Sequence, residues 1–571
     1  MVDLDLLNRK NKHVHSQLSE ATYPTCAMVV GLLLAALLAQ VGAYGNPFPF
    51  IDQQFYLYGG GQILQGSVPY VDFWDRKPVG LFLFYGLIRL TGSWRFWVLP
   101  LVAALSLWVG AWGLTLTAYR LRPSPSAMVA GLLFIEASAS SIMKIGGQAE
   151  NFYLPLVIWA MALPLSSWQR IAINLKSLFL VGCASMALFG FALQIKPSCV
   201  LEGILLGLAL LIMLTKQALP TMSKVKALFF CGAVWVALAA APTMAVAFWY
   251  WLHGFGPEWL YANLGNLQYR DPSAQYHHVL HFLENIATAT MFYMPVLVYT
   301  LWQWPRLKRQ KAQILFILLW GLVAFGMGVK LRSGYGSTHY LLPAVPALAL
   351  LAVYWAGEGG WRKAIPWLLG AGFLPGLLWA NFFVSPFSLH GQRDRVFYHY
   401  SQLILRQQPG CLLGLGGEWM MQDLSAATAS CHVTKFTFPD HLLDPQEWRA
   451  LGVGQQQEVM RSLALRPLYV VYQLHPTAES CQTNPSCRYT RGRQVFWRHT
   501  PYRDLETQIQ KVLAQDYVPV IINPEIYDDP PFTLYKLKPG LLPHIVPKGF
   551  SPSPSNTVAV PWLRIPSPST P

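Results

Sequence analysis

Apolar residues recur along the chain in unbroken runs of about 17–25, the length a helix needs to cross a hydrocarbon core. Eleven such runs are predicted, at 25–43, 95–119, 127–143, 151–167, 177–195, 199–215, 227–252, 286–303, 314–329, 340–357 and 364–384. Ends read this way carry an error of about 2–4 residues. Val79–Arg89 is apolar but too short to cross, and is expected to lie along the outer interface, where aromatic residues anchor well. The first run exceeds the roughly 7–15 apolar residues of a signal-peptide core and is read as a retained helix. Cleavage after the small residues Val41-Gly42-Ala43 is the alternative.

From about 385 the pattern changes. Residues 467–472 and 517–522 alternate like strands, and 502–515 repeats like a helix. The expected fold is mostly α: a polytopic membrane protein with about 11 transmembrane helices and a C-terminal extracytoplasmic α/β domain. Its divisions are a transmembrane domain over 1–384, the α/β domain over 385–545, and a Pro/Ser-rich, disordered tail over 546–571.

Composition agrees with the runs. The chain is 53% hydrophobic and 12% charged, against about 25% charged residues in soluble domains. Its net charge of +15 would suit nucleic acid, yet no recognition motif accompanies it. The surplus instead falls in alternate turns: Arg9, Lys10 and Lys12; Arg120 and Arg122; Arg170 and Lys176; Lys216, Lys224 and Lys226; Arg306, Lys308, Arg309 and Lys311; Arg362 and Lys363. Basic residues mark cytoplasmic loops, so the N-terminus is placed in the cytoplasm and the C-terminal domain outside. Cys26, Cys183, Cys199 and Cys231 lie in or beside apolar runs and are read as buried thiols. Cys411, Cys431, Cys481 and Cys487 all fall in the α/β domain. An even set facing an oxidising compartment suggests two disulfides, for which 411–431 and 481–487 are one pairing. A zinc site is the rival, disfavoured because no Cys-x-x-Cys pair is present.

Candidate chemistry gathers at the outer ends. The first outer loop holds Asp52, then Asp72, Asp75, Arg76 and Lys77 among aromatic residues. A carboxylate such as Asp52 at the membrane surface suits a general base, although it also fits an ordinary loop acid. Arg76 and Lys77 suit a lipid phosphate, or simple contact with headgroups. Glu150 follows the third run, and Lys196 ends the fifth. Arg332, Tyr335 and His339 crowd a glycine-bearing outer turn, which suits an anionic headgroup or, equally, a basic turn anchored at the interface. Glu136 and Glu202 fall in or near apolar runs, where a hydrogen-bonded structural role is the leading reading. No phosphate-cradling glycine loop, metal-helix motif or nucleophile elbow is present.

Three features together resemble the GT-C superfamily of integral-membrane glycosyltransferases. They are Asp52, the Pro-Tyr-x-Asp-x-x-Asp-x-Lys-Pro segment from Pro69 to Pro78, and Glu150. His339 to Pro346, reading His-Tyr-Leu-Leu-Pro-x-x-Pro, is a weaker fourth. The nearest branch resembles bacterial relatives of dolichyl-phosphate-mannose–protein mannosyltransferase and lipid A aminoarabinose transferase, over about residues 25–360. The resemblance implies transfer with inversion from a polyprenyl-phosphate sugar, in a bacterial inner membrane, with the C-terminal domain periplasmic. It makes Asp52 the base or acceptor-positioning carboxylate. Lys77 and Arg332 would hold donor phosphate, with Lys196 a weaker candidate, and Glu150 and His339 would shape the site. Some members use a divalent metal; no metal ligand is assigned here. The family often has Asp-Glu where this chain has Asp52-Gln53, which weakens metal binding at that position.

The expected partners are therefore the donor lipid, the bilayer, and a glycan, lipid or protein acceptor, with no nucleic acid. Two other readings remain open: a lipid or sugar transporter, for which no internal repeat is evident, and a non-catalytic relative that binds lipid-linked sugar.

Overall fold

Within lipid a chain satisfies its backbone polar groups by closing them inside helices. The computed structural model has, among its described residues, seven helical segments long and apolar enough to span: Cys26–Ala43, Gly92–Leu121, Leu175–Leu193, Pro197–Thr215, Thr221–Leu252, Lys311–Leu331 and His339–Ala356. The structure describes residues 24–46, 51–139, 147–269, 294–307, 310–335, 338–356, 411–415, 433–443, 447, 450–472, 502–520 and 533–544.

The principal helices are α1 (Cys26–Ala39), α2 (Ile51–Leu64), α3 (Val79–Arg89), α4 (Arg95–Leu121), α5 (Met128–Ala139) and α6 (Ala149–Ser166). Next come α7 (Leu175–Leu193), α8 (Val200–Thr215), α9 (Thr221–Leu252), α10 (Gly256–Asn263), α11 (Met294–Gln303), α12 (Lys311–Tyr335) and α13 (Val345–Ala356). The C-terminal part adds α14 (Gln455–Ala464) and α15 (Tyr502–Asp516). The chain is thus a multi-pass membrane protein, mostly helical, with a small C-terminal sheet. The apolar runs at 127–143 and 151–167 are occupied by α5 and by α6, the latter carrying Pro155 and Pro164. The run at 286–303 is helical over its described part, α11. The run at 364–384 lies outside the described residues.

By its contacts the chain forms two units, each assembled from separate stretches of sequence. The first comprises 1–44, 99–243 and 281–388. Here α6 packs along α7, α5 against α1 and α13, and α12 against α8 and α13. Leu32, Phe134, Ile158, Phe189, Trp235 and Trp320 are among the side chains that fill its interior. Small residues set the closest approaches, as is usual between membrane helices. A Cβ on Gly131 would stand 2.7 Å from the Ala111 carbonyl oxygen, and one on Gly190 would stand 2.8 Å from that of Leu238.

The second unit comprises 45–98, 244–280 and 389–571. Its α2 was not expected: the glycine triplet Gly59–Gly61 reads as a break, yet it is helical and lets α2 lie directly on α3. Phe82 of α3 meets Phe55 of α2 and Phe73 of the following loop, with ring centroids 5.9 and 5.2 Å away. The sheet has the order β1-β2-β4-β3, with β1 (Leu412–Leu415), β2 (Tyr469–Tyr472), β3 (Tyr517–Val520) and β4 (Thr533–Leu537). The first pair is parallel and the others antiparallel. Strands β2 and β3 and helix α15 fall where the periodicity predicts them. Strands β1 and β4 and helix α14 do not follow from it.

Cys411 is disulfide-bonded, to a partner outside the described residues. Cys26, Cys183, Cys199 and Cys231 are free thiols. The last two are buried as expected, whereas Cys183 is half-buried and Cys26 is exposed on α1, whose apolar surface suits it to lipid.

The contact between α2 and α3 yields a prediction. A Cβ on Gly60 would stand 2.5 Å from the Gly86 amide nitrogen and 2.7 Å from the Tyr85 carbonyl carbon, both backbone atoms that cannot swing away. A Cβ on Gly61 would meet only the flexible Arg89 side chain, at 3.3 Å. Replacing a helical glycine by alanine otherwise gains roughly 0.5–1 kcal/mol, whereas overpacking costs about 1–3 kcal/mol. Gly60→Ala is therefore expected to lower the thermal midpoint of the detergent-purified protein, and Gly61→Ala to leave it unchanged or raised. Equal midpoints would refute the close packing.

Candidate functional site

Three sequence candidates meet in the first unit. Glu150 stands in the first turn of α6, where the helix dipole favours a carboxylate. Lys196 follows α7 and caps the Pro197–Cys199 turn that leads into α8, a turn begun by proline with its preset φ. His339 opens the apolar segment His339–Ala356. The Lys196 ammonium pairs with Glu150, their side chains 10% and 3% exposed. His339 Nε2 lies 3.6 Å from the same Glu150 Oε1. The ammonium also sits 4.5 Å from the centre of the Tyr340 ring, a cation–π distance. Glu150 is therefore a buried, paired carboxylate, not the solvated turn acid that its loop position allows.

A cavity opens beside the pair, lined in part by Glu150, Tyr153, Lys196, Ser198, Glu202 and Tyr340. Its volume of about 10 Å³ for water centres is enough for one water. Glu202 is held by the Trp320 indole N–H at 2.9 Å, the structural role that its place in an apolar run suggests. Glu136 is half-buried in α5.

The Pro69–Pro78 segment belongs to the second unit, where its residues build a tight turn. Asp72 accepts from the Val68 amide at 2.6 Å, and the Tyr70 amide donates to the Phe73 carbonyl at 2.6 Å. Tyr70 has φ of 70°, a left-handed conformation that costs a non-glycine residue about 1–2 kcal/mol. Its ring supplies the compensation: it packs 5.6 Å from the Tyr250 ring, and its hydroxyl donates to the Lys77 carbonyl at 2.8 Å. Asp75, buried, accepts from the Lys77 amide at 2.9 Å and from the Arg76 amide. Lys77 is thus fixed at its amide by Asp75 and at its carbonyl by Tyr70. Its ammonium lies 5.9 Å from the Tyr56 ring centre and, among the described residues, pairs with no carboxylate.

Arg76 is committed elsewhere. Its guanidinium forms an ion pair with Glu447, with side chains 16% and 3% exposed. It donates through Nε to Asn266 Oδ1 at 2.9 Å and lies 5.1 Å from the Trp74 ring centre. Lys435 reaches the Tyr70 carbonyl at 3.5 Å. Burial pulls its ammonium below the usual lysine range, against the opposing pull of Glu258, Glu458 and Asp72. Burial likewise pushes the Tyr58 and Tyr70 hydroxyls well above the tyrosine range, so both stay neutral. Of the second unit's polar groups, Glu447, Asn266 and Lys435 were not foreseen: nothing in their local sequence distinguishes them from ordinary surface residues.

Asp52 stands in the first turn of α2, half-buried, and its carboxylate has no hydrogen bond or ion pair among the described residues. Next to it Gln53 is 2% exposed, with a side-chain nitrogen lacking a hydrogen-bond partner. Arg332 and Tyr335 belong to the last turn of α12; the positions of their side chains lie outside the description. Among the described residues no group of three or more His, Cys, Asp or Glu side chains is disposed to hold a metal ion, and Gln53 supplies no second carboxylate beside Asp52.

Among solved structures, the chain is similar to the oligosaccharyltransferase of Archaeoglobus fulgidus, in complex with Zn and sulfate. The TM-score is 0.44 with 12% identical residues, over 78% of this chain and 68% of that one. No protein-family model matches the chain, and no curated protein does.

The buried Glu150–Lys196 pair can be tested on its own. Removing one member of such a pair strands the other and costs about 3–5 kcal/mol, whereas replacing both with neutral groups is far less damaging. Glu150→Gln and Lys196→Met are each expected to lower the thermal midpoint markedly, and the double variant to recover most of the loss. Simple addition of the two losses would show that the groups do not interact.

Proposed function

We propose that the chain is a membrane glycosyltransferase that moves a sugar from a polyprenyl-phosphate donor to an acceptor at the outer face, with inversion. One observation carries this reading. Of the first-loop carboxylates, Asp72 and Asp75 are committed to backbone amides, while Asp52 is half-buried and has no hydrogen bond or ion pair among the described residues. An uncommitted, half-buried carboxylate is what a general base requires.

In the proposed reaction Asp52 takes the proton of an acceptor hydroxyl or amine as that atom bonds to the anomeric carbon. The bond from that carbon to the phosphate oxygen breaks, and its electron pair leaves with the polyprenyl phosphate. Lys77, presented by its turn with no carboxylate partner among the described residues, stabilises the departing negative charge. Arg332 is a second phosphate-holding candidate on the resemblance stated above. Glu150, Lys196 and His339 form a buried supporting set, in which a phosphate would have to compete with Glu150 for Lys196. No step is routed through a metal. The reading places the protein in a bacterial inner membrane, with its N-terminus cytoplasmic and the domain from about 385 periplasmic.

Lipid mass spectrometry on native cells carrying the wild type, a deletion or Asp52→Asn tests the proposal. Both altered strains are expected to accumulate a polyprenyl-phosphate sugar and to lose one envelope modification. Loss of a general base costs about 10²–10⁴-fold in rate. An unchanged lipid pool and envelope in the deletion strain would overturn the transferase reading. Accumulation in the deletion but not in Asp52→Asn would keep the transferase and remove Asp52 from its mechanism.

A further inference from the structure

The second unit closes around the Lys77 turn through contacts that a mere covering domain does not need. Trp74, 2% exposed, is an integral part of the C-terminal core. Its ring lies 4.8 Å from that of His441 and 5.6 Å from that of Phe436, and its amide donates to the Lys435 carbonyl at 2.9 Å. Two residues on, Arg76 is buried against Glu447. Its other partner, Asn266, is itself fixed by donating to the Tyr261 carbonyl at 2.9 Å and to the Ala262 carbonyl. The Tyr261 hydroxyl in turn donates to the Ala450 carbonyl at 3.3 Å. Two stretches distant in sequence, around Asn266 and Glu447, thus converge on Arg76, the residue preceding Lys77.

We propose that the C-terminal domain positions the Lys77 ammonium, with Glu447 and the socket around Trp74 as positioning residues that act through the 69–78 turn. The left-handed Tyr70 supports this assignment, because a strained residue persists only where its surroundings hold it. So does the chemistry of Glu447: a nearly buried carboxylate facing a guanidinium fixes one geometry, and neutralising it removes that counter-charge. The role given to Lys77 rests on the transferase reading above; the holding of the turn does not.

Hydrogen exchange on the full chain in detergent tests the holding directly. Glu447→Gln is expected to raise exchange across 69–78 at least tenfold while α14 keeps its wild-type protection. Adding Arg76→Gln is expected to restore most of the lost protection, because no buried cation is then left unpaired. Should Glu447→Gln fail to fold, Trp74→Phe, which shrinks the plug but keeps it aromatic, is expected to raise exchange over the same segment. Unchanged exchange across 69–78 in the folded variants would overturn the proposal.

Cellular polyprenyl-phosphate sugar pools give the second readout. Glu447→Gln is expected to cause accumulation in the same direction as Lys77→Ala, and the double variant to accumulate no more than Lys77→Ala alone. Additive accumulation would mean that Glu447 does not act through Lys77, and would overturn the positioning role. Loss of protection at 69–78, in a protein whose deletion leaves the lipid pool unchanged, would uphold the holding of the turn and overturn the transferase reading instead.

Discussion

A lysine ammonium and a glutamate carboxylate, both nearly sealed from solvent, must be brought together or not buried at all. This constraint governs the first unit. Taking either charge alone out of water costs several kcal/mol, and a membrane bundle offers little water to soften that cost. The chain meets the requirement by placing Glu150 at the start of α6, Lys196 just past the end of α7, and His339 at the start of the segment His339–Ala356. Successive antiparallel helices bring these ends to one side of the bundle. The N-terminus of α6 adds its partial positive charge to that of Lys196, and the Tyr340 ring covers the ammonium. A polar cluster so completed fixes which helix ends lie side by side, because sliding one helix by a turn would strand a charge.

The second unit obeys the same rule with different means. The acids of its 69–78 turn are satisfied by backbone amides: Asp72 by Val68, and Asp75 by Arg76 and Lys77. A carboxylate that caps amides stiffens a turn without consuming a cation. Arg76 instead takes its partners from side chains distant in sequence, Asn266 and Glu447. Its planar fork can serve several partners at once, which a lysine at that position could not do. The neighbouring Lys77 has a rigid backbone and an ammonium that pairs with no described carboxylate.

These arrangements explain what the sequence disclosed and what it withheld. Membrane class and most helices were legible because the bilayer imposes a length and a composition on each span. The C-terminal strands β2 and β3 and helix α15 were legible from periodicity. Helix α2 was hidden, since Gly59–Gly61 carries the local signal of a break and is justified only by the backbone of α3 lying against it. Within the candidate site, the residue types and their order were visible, but their partners were not. Arg76 and Lys77 are adjacent and look interchangeable as phosphate ligands; Glu447, about 370 positions later, separates their roles. Glu150, Lys196 and His339 came from different turns, and nothing in any of those turns shows that one carboxylate faces both the lysine and the histidine.

The distinction between committed and uncommitted charge therefore decides how a motif rich in acids and bases is to be read. In Pro-Tyr-x-Asp-x-x-Asp-x-Lys-Pro, both acids and the tyrosine serve the turn, and only the lysine head group is left for chemistry. Asp52 lies outside that segment, in the first turn of α2. One carboxylate suffices to take one proton from an acceptor, and Gln53 places a neutral amide where a second acid would stand. The departure from Asp-Glu at this position is thus compatible with proton abstraction by Asp52 alone. It is far less compatible with a cation held between paired carboxylates.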